Sequence, residues 1–356
     1  MSLYPKLNIG DLEISKPIIQ GGMSVGVSLS GLAAAVANQG GVGVIGTAGI
    51  GFQDEGFAEH PIETNLKALT REIRRAREMS DGIIGVNIMR ALTDFNELVQ
   101  TSILEKVDII FIGAGLPLAL PKGPAMDNLK TMRTKIVPIV SSSKAVKVIF
   151  KYWQRHYDRL PDAIVVEGPK AGGHLGFKKS ELLNPDINLS DILTDVIDEI
   201  KNFGEKLQEK IPVIAAGGIF DREDMLDMFK TGARGVQLGT RFVATEECDA
   251  SDKFKEQYIK AEKEDIVLID SPVGMPGRAI INEFLRKVAD GEKFPANCPF
   301  KCLHTCNMEK AQYCIANALT NAKLGNMKNG FAFAGTNAYR INKIVKVKDI
   351  FRELAE

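Results

Sequence analysis

The sequence predicts a TIM (β/α)8 barrel with a C-terminal helical excursion, and three observations carry that prediction. Eight short apolar runs alternate with helical segments, glycines cluster directly after the C-terminal ends of those runs, and the composition keeps one regime until after residue 245. A doubly wound open sheet shares the alternation. Glycine at so many strand ends favours the closed barrel, whose sites gather at that face. The expected division is a barrel core over 1–245 and a helical and loop region with a cysteine-rich segment over 246–356, packed on the barrel.

The elements follow in order. Residues 14–20 read as a strand broken by Gly21 and Gly22, and 29–38 as an alanine-rich helix with Ser28 or Ser30 as cap. Residues 42–45 are the second strand, followed by a long glycine-rich loop to His60 that reads as a functional lid. A helix over 62–79 is amphipathic, and its Arg71, Arg74, Arg75 and Arg77 read as a solvated face. Strands follow at 83–88, 108–112 and 136–140, separated by helices over 93–106 and, briefly, 125–132. After a helix over 144–156, Ala163 to Val166 form the sixth strand, introduced by Pro161 and Asp162. A helix over 189–203, a strand over 211–216, a helix from Asp221 to Gly232 and a strand over 235–238 complete the alternation. Beyond it, helices are expected over 253–263 and 278–289, a turn-rich loop over 271–277, and a helical tail over 349–355.

The charge balance excludes one class of partner. Forty-five Lys and Arg residues face 45 Asp and Glu, so the basic footprint of a nucleic-acid or membrane-surface binder is missing and a small-molecule substrate is expected. The N-terminal stretch has no basic region leading into an apolar core, and no run is long enough for a membrane helix. A cytoplasmic location is expected; a homodimer is left open.

The chemistry centres on EGPKAGGHLGF, residues 167–177. Its glycines let the backbone approach a ligand closely, and they place His174 at the C-terminal end of the sixth strand. An isolated loop histidine most often satisfies only local hydrogen bonds; the glycine frame in a barrel makes His174 the catalytic candidate. Two further turns, AAGGIF at 215–220 and VQLGTRF at 236–242, follow the seventh and eighth strands. Barrels commonly hold a phosphate there on backbone N–H groups. Flavin mononucleotide suits such amides and the apolar strand ends around them, and a substrate phosphate fits the same turns.

Taken with QGGM at 20–23 and GVNIM at 85–89, these segments resemble the nitronate monooxygenase family, formerly the 2-nitropropane dioxygenases, and its flavin-dependent relative, the enoyl-acyl-carrier-protein reductase II branch. The resemblance covers residues 10–245 in order. It implies a flavoprotein oxidoreductase with non-covalent FMN. By similarity Gly22, Met23 and Asn87 face the flavin, Gly172 and Gly173 its edge, and Gly217, Gly218, Gln237, Gly239 and Thr240 its ribityl phosphate, while His174 matches the active-site histidine. The implied activity is the oxidative denitrification of alkyl nitronates with O2, His174 acting as base or hydrogen-bond donor. Under the reductase alternative NAD(P)H is the reductant and an enoyl thioester the substrate; a third reading is a flavin-binding redox protein with a docking partner, for which Lys178 and Lys179 offer a basic patch.

One segment departs from both patterns. Cys298, Cys302, Cys306 and Cys314 follow C-x3-C-x3-C-x7-C. Four thiolates can hold zinc or an iron–sulfur cluster; reduced cysteines on a short helix, with Cys302 and Cys306 on one face, are the simpler reading, and a redox or disulfide role is the third. No metal ligand is assigned.

Overall fold

The computed structural model describes residues 4–126, 132–295, 298, 300–307 and 309–355. Its strands are β1 (Leu7–Ile9), β2 (Leu12–Ile14), β3 (Ile18–Gln20), β4 (Val42–Gly46), β5 (Ile83–Met89), β6 (Ile109–Gly113) and β7 (Lys135–Val140). After them come β8 (Ile164–Glu167), β9 (Gly173–His174), β10 (Val213–Ala216), β11 (Gly235–Leu238), β12 (Ile266–Asp270) and β13 (Pro276–Ile280).

Strands β3 to β8 with β10 and β11 close into one barrel, in the order β10, β11, β3, β4, β5, β6, β7, β8. Every neighbouring pair is parallel, and the ring is sealed where Leu238 pairs with Gln20 and Ala216 with Glu167. The open sheet is thereby excluded. Strands β4 and β6 are buried along their whole length, as expected where helices cover the outside and side chains fill the inside.

Two cores result. Outside the ring, strand residues such as Ile45 and Ile112 pack against the helices, where Leu69, Phe150 and Trp153 are buried. Inside it, Ile19, Val44, Phe111, Val137 and Val165 meet Leu7, Ile9 and Ile14 from the hairpin β1–β2. That hairpin, absent from the sequence reading because each strand is only three residues long, packs into the barrel interior and supplies apolar side chains to it.

Helix Ser30–Ala37 is capped by neither serine proposed for it. Its N-cap residue is Leu29, and Asp249 Oδ2 accepts the N–H groups of Leu29 and Leu32 at 2.8 and 3.2 Å, so a residue beyond the last barrel strand supplies the acceptor. The basic face of helix Pro61–Met79 is partly paired: Arg71 bonds Asp54 at 2.7 Å, Arg74 bonds Glu105 at 2.8 Å and Arg77 bonds Asp108 at 2.6 Å. The short helix expected over 125–132 begins as one 3-10 turn, Pro124–Met126; residues 127–131 lie outside the described residues.

The region after residue 245 departs most from expectation. A helix was expected from Arg278, but β12 and β13 form an antiparallel ribbon there, and helix Glu283–Ala289 starts later. Strand β13 also pairs with β9, Gly277 opposite His174. The excursion thus adds a short sheet to the helices expected of it, and that sheet takes in the histidine. The short helix suggested for the cysteines is absent as well: among the described residues 300–314 none is helical, and the next helix is Ile315–Lys323.

Candidate active site

His174 sits on β9, held from the far side by residues about a hundred positions later. Arg278, buried on β13, donates from Nη1 to the carbonyls of Pro169 at 2.7 Å and Ala171 at 2.5 Å. One guanidinium thus fixes the turn between β8 and β9. Burial lowers the Arg278 pKa, yet guanidinium remains the charged species at any ordinary pH. On the other face, a Cβ at Gly172 would stand 2.4 Å from the backbone of Ala334 and 2.5 Å from that of Gly335. No side chain fits there, and the absence of one lets the C-terminal segment close over the loop.

The imidazole has two neighbours. Its Nε2 lies 2.7 Å from the Ser271 hydroxyl, and its ring meets Phe333 edge-on at 5.0 Å between centroids. Burial lowers its pKa to about 4, so His174 is neutral at physiological pH. With Nε2 committed to Ser271, Nδ1 is the nitrogen left for a ligand. At the end of β8, burial raises the Glu167 carboxyl to about 7.

Both side chains line a cavity of about 340 Å³ at the C-terminal end of the barrel strands. The structure brings every sequence-predicted site residue to this one cavity: Gly22, Met23, Asn87, Gly172, Gly173, His174, Gly217, Gly218, Gln237, Gly239 and Thr240 all line it. The close approach at the first turn is built in, because a Cβ on Gly22 would lie 2.4 Å from that of Asn87. On the turns after β10 and β11, no hydrogen bond from the N–H of Gly218, Gly239 or Thr240 is found among the described residues. Unpaired amides at a cavity wall suit an anionic group such as a flavin phosphate. The residues present therefore fit FMN: unpaired amides on the turns after β10 and β11, with apolar strand ends in the same cavity of about 340 Å³.

The family model described as nitronate monooxygenase matches residues 6–356. The chain belongs to the nitronate monooxygenase family. It is accordingly an oxidoreductase. A probable nitronate monooxygenase of Staphylococcus saprophyticus is 26% identical over 340 residues, 88% of this chain and 84% of that protein. A Mycobacterium tuberculosis relative, (3aS,4S,5R,7aS)-5-hydroxy-7a-methyl-1-oxo-octahydro-1H-indene-4-carboxyl-CoA dehydrogenase, is 29% identical over 282 residues, 79% of this chain and 68% of that one. Among solved structures, FabK from Thermotoga maritima superposes with a TM-score of 0.72 at 30% identity, covering 96% of this chain and 92% of that one. No helix among the described residues is long and apolar enough to cross a membrane.

Placed in this family, the chain shows site residues that sequence reasoning missed. Ser271 and Phe333 hold the histidine; Phe254, Tyr258, Leu303 and Leu319 add an apolar wall. Gly335 donates its N–H to Thr240 Oγ1 at 2.9 Å, and Asn337 Nδ2 donates to the Gly218 carbonyl at 2.6 Å, so the C-terminal region also braces the two glycine turns after β10 and β11. The loop read as a lid contributes Ala48, Gly49 and Phe52 to the cavity. Lys179, half of the basic patch, is paired with Asp270 at 2.8 Å.

Proposed function

We propose that this member of the family is an FMN-dependent nitronate monooxygenase acting on small alkyl nitronates. The observation that carries the reading is the state of His174. An imidazole whose conjugate acid has a pKa of about 4 is a weak base at neutral pH, poorly matched to taking a proton from a neutral nitroalkane. It is well suited to donate a hydrogen bond from Nδ1 to a substrate that is already an anion. Ser271 then accepts no charge and moves no proton; its hydroxyl donates to Nε2 and fixes the tautomer that leaves the proton on Nδ1. The alkyl part of the substrate lies against Phe333, Tyr258 and Leu319, which exclude water from the reacting carbon.

Asn87, with Gly22 and Met23, would border the ring of the flavin, Gly172 and Gly173 its edge, and the turns at Gly217, Gly218, Gln237, Gly239 and Thr240 its phosphate. Bound there, FMN supplies the one-electron and oxygen chemistry that no side chain here can. In this reading residues 1–245 carry the cofactor and 246–356 supply the substrate wall. The protein acts in the cytoplasm on a small molecule, without nucleic acid or membrane.

A second reading keeps the same site. The similarity to FabK and to a CoA thioester dehydrogenase favours an enoyl thioester reductase in which NAD(P)H reduces the flavin. Anaerobic bleaching of the bound flavin separates the two. Bleaching by propionate 3-nitronate, and not by NADH or NADPH, is the expected result; bleaching by a nicotinamide with reoxidation by a crotonyl thioester assigns the reductase. Silence toward all three points to a redox protein with a docking partner.

A further inference from the structure

Glu167 lines the cavity without a part in the reading above. It is the last residue of β8, and its backbone is anchored: it pairs with Ala216 on β10, and the next N–H, that of Gly168, donates to the Ala216 carbonyl at 2.8 Å. The turn it opens is the one that Arg278 fastens through the carbonyls of Pro169 and Ala171, and that turn leads into His174 on β9. One short, doubly held segment therefore carries both the carboxyl and the imidazole into the same cavity.

Among the described residues, no hydrogen bond or ion pair engages the Glu167 carboxyl, and burial is what raises it to about 7. The strands on either side of β8 offer no counter-charge. Strand β10 has no ionisable residue, and the one on β7, Lys135, lies at the far end of that strand, paired with Asp11. Lys170, within the turn, is exposed. The other ionisable groups of the cavity wall are neutral or engaged elsewhere: Arg241 pairs with Glu353 and stacks over Phe220 at 4.7 Å, the Tyr258 hydroxyl donates to the Phe333 carbonyl at 2.6 Å, and burial pushes the Cys302 thiol up to about 12. An unpaired carboxyl kept from bulk water costs stability, and one that opens on a substrate cavity is placed to exchange a proton there.

We propose that Glu167 is the base that takes the α-proton of a neutral nitroalkane in this cavity. The inference rests on the nitronate reading, whose histidine is too weak a base for that step. The carbon–hydrogen bond breaks, its electron pair becomes the carbon–nitrogen double bond of the nitronate, the negative charge settles on the nitro oxygens, and the proton passes to a carboxylate oxygen of Glu167. Nothing is oxidised or reduced in the step. His174 donates from Nδ1 to a nitro oxygen as charge gathers there, so the two side chains divide the work of base and hydrogen-bond donor.

The test follows proton transfer apart from oxidation. The full chain with its bound flavin is mixed, without oxygen, with nitroethane carrying deuterium at the α-carbon. Loss of that deuterium to water is read by NMR from pH 5.5 to 8.5, less the rate without protein. Oxygen uptake with nitroethane and with preformed ethyl nitronate is measured beside it. Exchange above the blank is expected, rising as pH passes through about 7. Glu167→Gln should slow exchange by about 100-fold and cut the ratio of nitroethane to nitronate turnover by a similar factor. Glu167→Asp, which keeps a carboxylate, should recover part of the exchange, and His174→Ala should slow it less than Glu167→Gln does. Exchange at the blank rate while nitronate is oxidised, exchange that survives in Glu167→Gln, or exchange that His174→Ala alone abolishes overturns the proposal. Nitronate left unoxidised, beside exchange that needs Glu167, overturns the monooxygenase reading and leaves the base in place. Should Glu167→Gln fail to fold, the pH profile of the unsubstituted chain decides, and a flat one overturns the proposal.

Discussion

Replacing Ser271 by alanine removes one oxygen, the atom 2.7 Å from Nε2 of His174. The cavity keeps its shape, because Ser271 is buried in a turn whose backbone bond, Ser271 N–H to the Met275 carbonyl at 3.2 Å, does not involve the side chain. What is lost is one neutral hydrogen bond, worth about 0.5–1.5 kcal/mol net. If that bond fixes the tautomer and aim of the imidazole, the loss appears in the transition state and turnover falls roughly 2- to 13-fold. The effect should lie in kcat, with flavin content and KM nearly unchanged, since Ser271 touches the histidine rather than the cofactor turns. Burial alone lowers the His174 pKa, so the acid limb of the pH profile should stay where it is. Ser271→Thr, which keeps the hydroxyl, should recover most of the activity. The assay is oxygen uptake with a preformed nitronate from pH 4 to 9, on protein matched for flavin absorbance. Unchanged kcat in Ser271→Ala, beside a His174→Ala variant that has lost turnover, would refute the positioning role.

Four other outcomes follow from the same geometry. Arg278→Met leaves the Pro169 and Ala171 carbonyls without their donor, so stability should fall by about 2–4 kcal/mol and the β8–β9 turn should loosen, read as a lower Tm and faster amide exchange over 168–174. Gly22→Ala forces its new methyl against Asn87, a contact of 2.4 Å, and should release flavin without unfolding the barrel, as equilibrium dialysis will show. Because the His174 pKa is depressed to about 4, its neutral form contributes stability fully above the ordinary 6.5 and loses it as pH falls toward 4; kcat/KM should accordingly hold its plateau through pH 6, and a limb centred near 6.5 would contradict a buried histidine. Glu167 runs the other way: with its pKa raised to about 7, the folded state favours the proton, so stability is full below the ordinary carboxyl range and drains away as pH rises through 7. Glu167→Gln should therefore raise Tm above pH 7 relative to the unsubstituted chain and leave it level in acid.

The barrel was legible because its signals are local. Strand β11 and helix Leu189–Phe203 fall on the residues assigned from sequence, each bounded by glycine or by a capping side chain such as Asn188, which accepts the Asp191 N–H at 3.0 Å. The glycine turns were legible for the same reason: a backbone that must approach a ligand leaves a mark on its own residues. What the sequence hid is whatever depends on a distant partner. Nothing near Arg278 announces that its guanidinium bonds carbonyls 107 and 109 residues earlier, and a run such as GRAII fits a helix as well as the strand that its pairing with His174 imposes. Ser30 and Ser28 looked like caps because capping is normally local, whereas the acceptor is Asp249.

The same division bears on how one barrel serves more than one chemistry. The amides at Gly218, Gly239 and Thr240 lie on turns that directly follow barrel strands, so under the proposed reading any chain keeping those turns keeps a place for the cofactor phosphate whatever it does to a substrate. The residues around the histidine and the apolar wall come from later in the chain: Ser271 from the turn before β13, Phe333 from the segment that also accepts the Tyr258 hydroxyl at 2.6 Å, Leu303 beside the cysteines. These are held by irregular backbone and by one short sheet, where insertion and exchange cost less than in a closed ring of eight strands. A nitronate asks of that wall only a hydrogen bond and a dry apolar face, whereas a thioester asks for a channel that admits its carrier. In the proposed reading, substrate choice is governed by residues 246–356 acting on a histidine whose strand pairs with the later sheet.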